Sequence, residues 1–293
     1  MGCLGIHNSI CPKDQLLPWS PPMTIIIGAS CENGKNGIAI ADRMLTAGDL
    51  SMAFEHDVPK INRLCTSCVA LTAGSALSPA DMLRDVRLGL VEKRSPVVSD
   101  VLKCVKEKFL QVRNQKLEEE LFKPRGLTIE EFRRNQQTLD QTVVLRLDRA
   151  LEEYELDLHI VLVGVDSYGA HIYYIFNPGS SETFSQIGFC SLGTGERHAD
   201  TVFVTNKYTP TFSLRKALAI GYEAKKRAEM ASGVGRETDI AIMNESGISM
   251  VTKDGMAALD KIYNRKIEGT ASINKELEQE ILSMKTEEMF ERG

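Results

Sequence analysis

Apolar residues along this chain cluster in short β-rich runs toward both ends, with helical spacing between them. Residues 24–29 and 37–41 are two such runs. The stretch between them, Glu32-Asn33-Gly34-Lys35-Asn36-Gly37, carries two Asn-Gly pairs that predict a hairpin turn. Residues 60–64 and 68–73 make a second strand pair. Ser78-Pro79-Ala80 then opens a helix, because serine is a good N-cap and proline is tolerated in the first turn. Helical spacing predicts helices over 81–93, 98–122 and 128–148, the last starting at the capping-box pattern Thr128-Ile129-Glu130-Glu131. The charge-rich segment of about 95–150 is expected to expose much of its surface, as a projecting helical hairpin. Strands resume at 157–166, 171–177 and 184–191. An amphipathic helix over 213–231, a strand pair over 238–244 and 247–252, and an acidic helix over 275–291 complete the pattern. Strand pairs, then helices, then strands, a helix and strands imply an α+β fold of antiparallel sheets covered by helices.

The first 22 residues differ from the rest. Pro12, Pro18, Pro21 and Pro22 fall in a stretch with little apolar periodicity, which predicts a poorly ordered leader over 1–23 and a single domain over 24–293 with a helical tail from about 272. The leader lacks the apolar centre of a secretory signal, and Ile6 stands where a myristoylation pattern wants Ser or Thr.

Composition narrows the function classes. The chain has 293 residues, 43% of them hydrophobic, enough for a sizeable core. A net charge of -5 supplies no basic field for nucleic acid, and no stretch approaches the roughly 20 apolar residues of a membrane span. Seven scattered cysteines read as reduced thiols of a cytoplasmic protein. Cys65 and Cys68 form a C-x-x-C within an apolar run, where strand geometry points them to opposite faces, so core packing is expected of them rather than zinc or redox chemistry. The five histidines have no ligand spacing, and no metal site is expected.

Thr24 carries the most chemistry. Were Met23 the chain start, its removal would leave Thr24 with a hydroxyl nucleophile and a free amine on one residue, and an α-amine with a pKa of roughly 7.7–8.0 is a usable base. Thr24-Ile-Ile-Ile-Gly28, Asp42-Arg43-Met44-Leu45-Thr46-Ala47-Gly48, Lys60-Ile61, Thr72-Ala73-Gly74 with Asp81 after it, Gly193-Thr194-Gly195, and Glu229-Met230-Ala231-Ser232-Gly233 follow in that order. This ordered set resembles the β-type proteasome subunits and the related HslV-type bacterial proteases, members of the N-terminal-nucleophile (Ntn) hydrolases. The resemblance spans Thr24 to about Asp260, apart from the helical insert.

What it implies is a four-layer α/β/β/α sandwich and threonine-type endopeptidase chemistry with no cofactor. Thr24 Oγ would be the nucleophile and its amine the general base. Lys60 would lower the pKa of both, Asp42 would orient Lys60, and the Gly74 N–H would stabilise the oxyanion. Thr194, Glu229 and Ser232 match the groups that hydrogen-bond the amine and the lysine, although the family more often has Ser and Asp at the first two. Thr46 matches the strand edge that pairs with an extended substrate, and Leu45, Val58, Asn62, Thr72 and Ala76 match the lining of the first specificity pocket, suited to an apolar residue. The implied partners are unfolded polypeptide substrate, further copies or related subunits in a ring, and an ATP-dependent unfoldase. Met23 departs from the glycine usual before the nucleophile in proteasome precursors. Three fates stay open: Met23 is the true start, the leader is a propeptide, or the leader is retained. The rival functions are a different Ntn amidase or transpeptidase, and an unprocessed structural ring subunit.

Overall fold

The computed structural model describes residues 22–47, 52–56, 58–74, 79–91, 93 and 96–283. Expectations for the leader up to residue 21, for Ser78 as a cap, for Ala76 and for the tail beyond 283 lie outside these residues.

The expected first hairpin forms from β1 (Ile26–Cys31) and β2 (Asn36–Asp42), with Asn33 and Gly34 left-handed in the turn at φ 57° and 82°. A second, separate hairpin follows at once, β3 (Met44–Ala47) and β4 (Met52–Glu55). The expected second pair is β5 (Ile61–Arg63) and β6 (Cys68–Gly74). The later strands are β7 (Leu158–Asp166), β8 (Gly169–Phe176), β9 (Ser180–Thr183), β10 (Phe189–Leu192), β11 (Thr238–Asn244) and β12 (Gly247–Met250). Two five-stranded sheets result, with orders β10-β1-β2-β11-β12 and β5-β6-β7-β8-β9. Every neighbouring pair in both is antiparallel. The fold is α+β.

Of the strand expected over 184–191, only 189–191 are strand, as part of β10, and 184–188 form the link that leads there from β9. β9 ends the second sheet, the chain turns through Gly188 at φ 89°, and β10 enters the first.

Seven α-helices occur among the described residues. They are α1 (Pro79–Leu90), α2 (Val98–Leu117), α3 (Ile129–Asn135), α4 (Gln141–Glu153), α5 (Glu196–Thr205), α6 (Leu214–Ala228) and α7 (Lys253–Ser283). The helix expected over 128–148 breaks in two. Thr128 makes the expected capping box with Glu131, and Asp140 starts a new helix by accepting from the Thr142 and Val143 N–H groups. α5 was not expected, and α7 begins 22 residues before the expected helix.

Three apolar clusters explain the arrangement. Ile26, Ala39, Ala41 and Met243 of the first sheet meet Val69, Leu71, Val161 and Val163 of the second. The opposite face of the first sheet, with Ile25, Ile27, Ile38, Ile40 and Ile240, packs on Ala199 and Phe203 of α5, Ala217, Ile220 and Ala224 of α6, and Met256 and Tyr263 of α7. The opposite face of the second sheet, with Ala70, Ile160 and Leu162, packs on Met82 and Val86 of α1 and Val101, Val105 and Phe109 of α2. Strands buried on both faces need no alternation, which is why β1 and β7 read as unbroken apolar runs. Each fully buried aliphatic side chain contributes about 1.5–3 kcal/mol.

The helical insert has a core of its own. Leu117, Phe122, Phe132 and Leu147 are all buried there, and the buried Arg113 side chain donates to the Leu151 and Tyr154 carbonyls at the end of α4. The insert is thus packed rather than a bare hairpin.

Gly28 sets the approach of the two sheets, since a Cβ there would lie 2.7 Å from Val163 Cγ2 and 3.0 Å from Val161 Cγ1. Gly28→Ala is therefore expected to destabilise the fold by about 1–3 kcal/mol through overpacking. A lower urea midpoint at unchanged slope is the expected result.

Candidate active site

The hairpin register builds half of the site. Ile26 pairs with Ala41, so Ile25 lies opposite Asp42, and the Asp42 N–H donates to the Ile25 carbonyl at 3.1 Å. Thr24 is thereby brought to the Asp42 side chain across the strand ends. Lys60 comes from the second sheet. It directly precedes β5, its carbonyl accepts from the Thr72 N–H at 3.3 Å, and its side chain reaches the end of the first sheet.

The three side chains form one closed hydrogen-bonded group. The Thr24 hydroxyl donates to Asp42 Oδ1 at 2.5 Å, Lys60 Nζ donates to the same oxygen at 2.5 Å, and Lys60 Nζ also donates to Thr24 Oγ1. The Ile25 N–H reaches Oδ1 at 3.3 Å, and the Gly235 N–H donates to Oδ2 at 2.7 Å. All three side chains are buried, with Thr24 3% exposed, Asp42 0% and Lys60 7%. Burial pushes the Lys60 ammonium below the usual lysine value, while Asp42 pulls it back up. The hydroxyl thus sits between a cation that donates to its oxygen and a carboxylate that accepts its hydrogen bond.

A cleft open in part to solvent runs past this group. Its lining includes Thr24, Lys60, Val58, Asn62, Thr72 and Gly74. Sequence reading had not included its remaining wall, Met44 and Pro59 together with Pro79, Ala80 and Leu83 of α1. Val58 is 45% exposed, and Asn62 donates to the Lys60 carbonyl at 3.2 Å. Leu45 and Thr46 lie on β3, and their side chains, like Ala76, are outside the described residues. Gly74 has φ 108°, and a Cβ there would lie 2.5 Å from the Asp157 carbonyl oxygen. Glycine is required at that position on both counts.

Met23 and Pro22 lie in the same cleft. The Pro22 carbonyl accepts from the Thr194 N–H at 3.0 Å. Gly193, at φ 117°, leaves no room for a side chain, since a Cβ would lie 2.1 Å from the Thr24 carbonyl oxygen. Thr194 Oγ1 is buried and has no hydrogen-bond partner among the described residues.

The Glu229 side chain makes its ion pairs within its own segment, and among the described residues no hydrogen bond runs from Glu229 or Ser232 to Thr24 or Lys60. Both Glu229 oxygens are engaged there, Oε1 by Lys225 Nζ at 2.6 Å and Oε2 by Lys226 Nζ at 3.0 Å. Ser232 is exposed. Lys225 lies one helical turn before Glu229, and its side chain is fully buried and also donates to the Arg236 carbonyl at 2.5 Å. Burial lowers the Lys225 pKa, opposed by Glu229. Lys225 pins both ends of the segment that contains Gly235, the donor to Asp42. Its sequence signal was the i, i+4 pairing of Lys225 with Glu229 at the end of an amphipathic helix.

Among the described residues no group of three or more His, Cys, Asp or Glu is arranged to hold a metal ion, and no helix is long and apolar enough to cross a membrane. A scan against protein-family models gives no match for this chain, and a search of curated proteins gives none either.

Lys225→Met is expected to cost roughly 1–3 kcal/mol, because the Arg236 carbonyl loses its donor while Glu229 keeps Lys226. In a double-mutant cycle with Glu229→Gln, denaturant unfolding should give a combined loss smaller than the sum of the single losses.

Proposed function

We propose that this chain is a threonine-type peptidase of the Ntn-hydrolase class, acting on unfolded polypeptides from within a ring assembly. The observation that carries the reading is the mutual contact of Thr24 Oγ1, Asp42 Oδ1 and Lys60 Nζ at the edge of a cleft. The three lie 18 residues apart in steps, at the ends of strands in two different sheets. Packing of helices, sheet, sheet and helices in turn supports the four-layer α/β/β/α sandwich of that class.

In this reading Thr24 Oγ attacks the carbonyl carbon of a bound peptide, and its proton passes to the Thr24 amine once that amine is free. The carbonyl oxygen gains negative charge beside Gly74, whose N–H is the proposed oxyanion donor. An ester to Thr24 forms as the leaving amine departs, and water then hydrolyses it. Lys60 favours the alkoxide and lowers the amine's pKa, while Asp42 holds Lys60 in place. The buried Thr194 hydroxyl, without a partner while Thr24 carries an amide, fits its proposed role as acceptor for the freed amine. The mostly apolar wall of Val58, Pro59, Ala80 and Leu83 favours an apolar residue before the cut bond. Cytoplasmic placement, ring partners and an ATP-dependent unfoldase are part of the same proposal.

A second reading has its own observation. Pro22 and Met23 line the cleft, and the peptide bond from Met23 leaves Thr24 an amide instead of a free amine, as in an unprocessed ring subunit that retains its leader. The N-terminal residue of the purified protein separates the two. The peptidase reading expects Thr24 first and turnover of a fluorogenic peptide. An assembled protein that keeps residues through Met23 would overturn it. Thr24→Ala should abolish turnover with assembly intact, and Lys60→Ala should lower kcat about 10²–10⁴-fold, the usual range for a lost acid–base contribution.

The rate of the processed protein should follow a bell in pH. Its acid limb is set by the α-amine, ordinarily near 7.7–8.0 and lowered by Lys60. Its alkaline limb is set by loss of the Lys60 charge, below the usual lysine value because burial favours the neutral amine. A pH profile of kcat/KM with a single acid limb and no alkaline fall would remove Lys60 from the reaction.

A further inference from the structure

Cys65 and Cys68 are not on opposite faces of a strand. Residues 64–67 form the turn between β5 and β6, and the N–H groups of Leu64 and Cys65 both donate to the Cys68 carbonyl, at 3.0 and 3.4 Å. The Val165 N–H holds the Ser67 carbonyl at 3.0 Å, so the turn is tied to β7 as well. Residues at the two ends of a four-residue turn have Cα atoms within about 7 Å, close to the roughly 4.4–6.8 Å that a disulfide spans. The Cys68 thiol donates to the Cys65 sulfur, and the Ser67 and Cys68 N–H groups point at that sulfur too. Cys68 is fully buried, with its sulfur accommodated over Gly164, where a Cβ would lie 2.9 Å away. Cys65 is partly exposed.

We propose that Cys65 and Cys68 are a reversible dithiol–disulfide site, in which Cys65 attacks a small-molecule disulfide from solvent and Cys68 resolves the product. Cys65 thiolate attacks one sulfur of glutathione disulfide, forming Cys65–S–S–glutathione and releasing one glutathione thiolate, which takes up a proton. Cys68 then attacks the Cys65 sulfur, gives up its proton and expels the second glutathione. Two thiols and one disulfide become one protein disulfide and two glutathiones, with two electrons passing from the cysteines to glutathione.

The division of labour follows from the surroundings. Hydrogen bonding from Cys68, aided by the turn N–H groups and Arg63 against the effect of burial, pushes the Cys65 thiol down to about 6, so it is a thiolate near neutrality. Burial pushes Cys31, Cys104 and Cys190 up instead. Cys68, already in contact with the Cys65 sulfur, needs no access to solvent. Two sulfurs are too few for a zinc site, and among the described residues no third or fourth ligand completes one.

The inference stands apart from the peptidase reading, and a Thr24→Ala chain serves equally well. Purified full-length protein is incubated with glutathione disulfide, blocked with an alkylating agent and mapped by mass spectrometry. Before the block the expected product is lighter than the reduced chain by two hydrogens; after it, Cys65 and Cys68 are found unalkylated in one cross-linked peptide, which dithiothreitol separates. Cys68→Ser should stop with one glutathione on Cys65, and Cys65→Ser should take none on Cys68. In the reduced protein near pH 7, Cys65 should alkylate roughly tenfold faster than Cys104. A wild-type chain that stays reduced, a disulfide that involves Cys104, or alkylation of Cys65 no faster than of Cys104 would overturn the proposal.

Discussion

A carboxylate with no solvent contact is the constraint around which the site is organised. Asp42 is fully buried, and a buried anion is tolerated only when its oxygens are paired. Its donors come from three separate stretches of chain: Thr24 and Ile25 at the start of β1, Lys60 before β5, and Gly235 in the loop after α6. Satisfying Asp42 therefore forces the ends of both sheets and the end of a covering helix to meet at one place. Lys60 is buried by the same meeting, and its displaced pKa follows from it. Lys225 extends the constraint outward, since it fixes the loop that delivers the Gly235 N–H.

How legible this was in the sequence depended on how local the cause was. The first hairpin was readable because Asn-Gly turn chemistry and two apolar runs fix its register, and that register carries Asp42 to the end where Thr24 begins. The capping box at Thr128 was readable for the same reason, being complete within four residues. Lys60 obeys no such rule. It belongs to the other sheet, and only the ordered resemblance connected it to Thr24 before the structure did.

The misreadings share a physical pattern, which is that the deciding partner was distant or turned inward. Lys225, Lys226 and Arg227 look alike as cations in the last turn of α6, where charge complements the helix dipole. One of the three, Lys225, points into the interior and pairs with the Glu229 carboxylate there, while Lys226 takes its other oxygen. The apolar run at 184–191 looks like one strand because local pattern cannot report that its first half, 184–188, is the link between β9 of one sheet and β10 of the other. Cys65 and Cys68 were misplaced because the turn starts at Leu64, inside an apolar segment that has none of the usual glycine or proline punctuation.

The backbone around the Met23–Thr24 bond is held on both sides of it. Pro22 is bonded to Thr194, Gly193 makes room for the Thr24 carbonyl, and Gly233, at φ 84°, makes room for Met23, where a Cβ would lie 2.5 Å from that of Met23. Meanwhile the Thr24 hydroxyl already contacts Lys60 and Asp42 with the amide in place. The side-chain half of the proposed chemistry is thus assembled before any amine exists. Under that proposal, gaining activity requires no rearrangement of the sheets or of the buried pair. It requires a change in one nitrogen, from an amide whose lone pair is delocalised into a carbonyl to an amine that can take a proton.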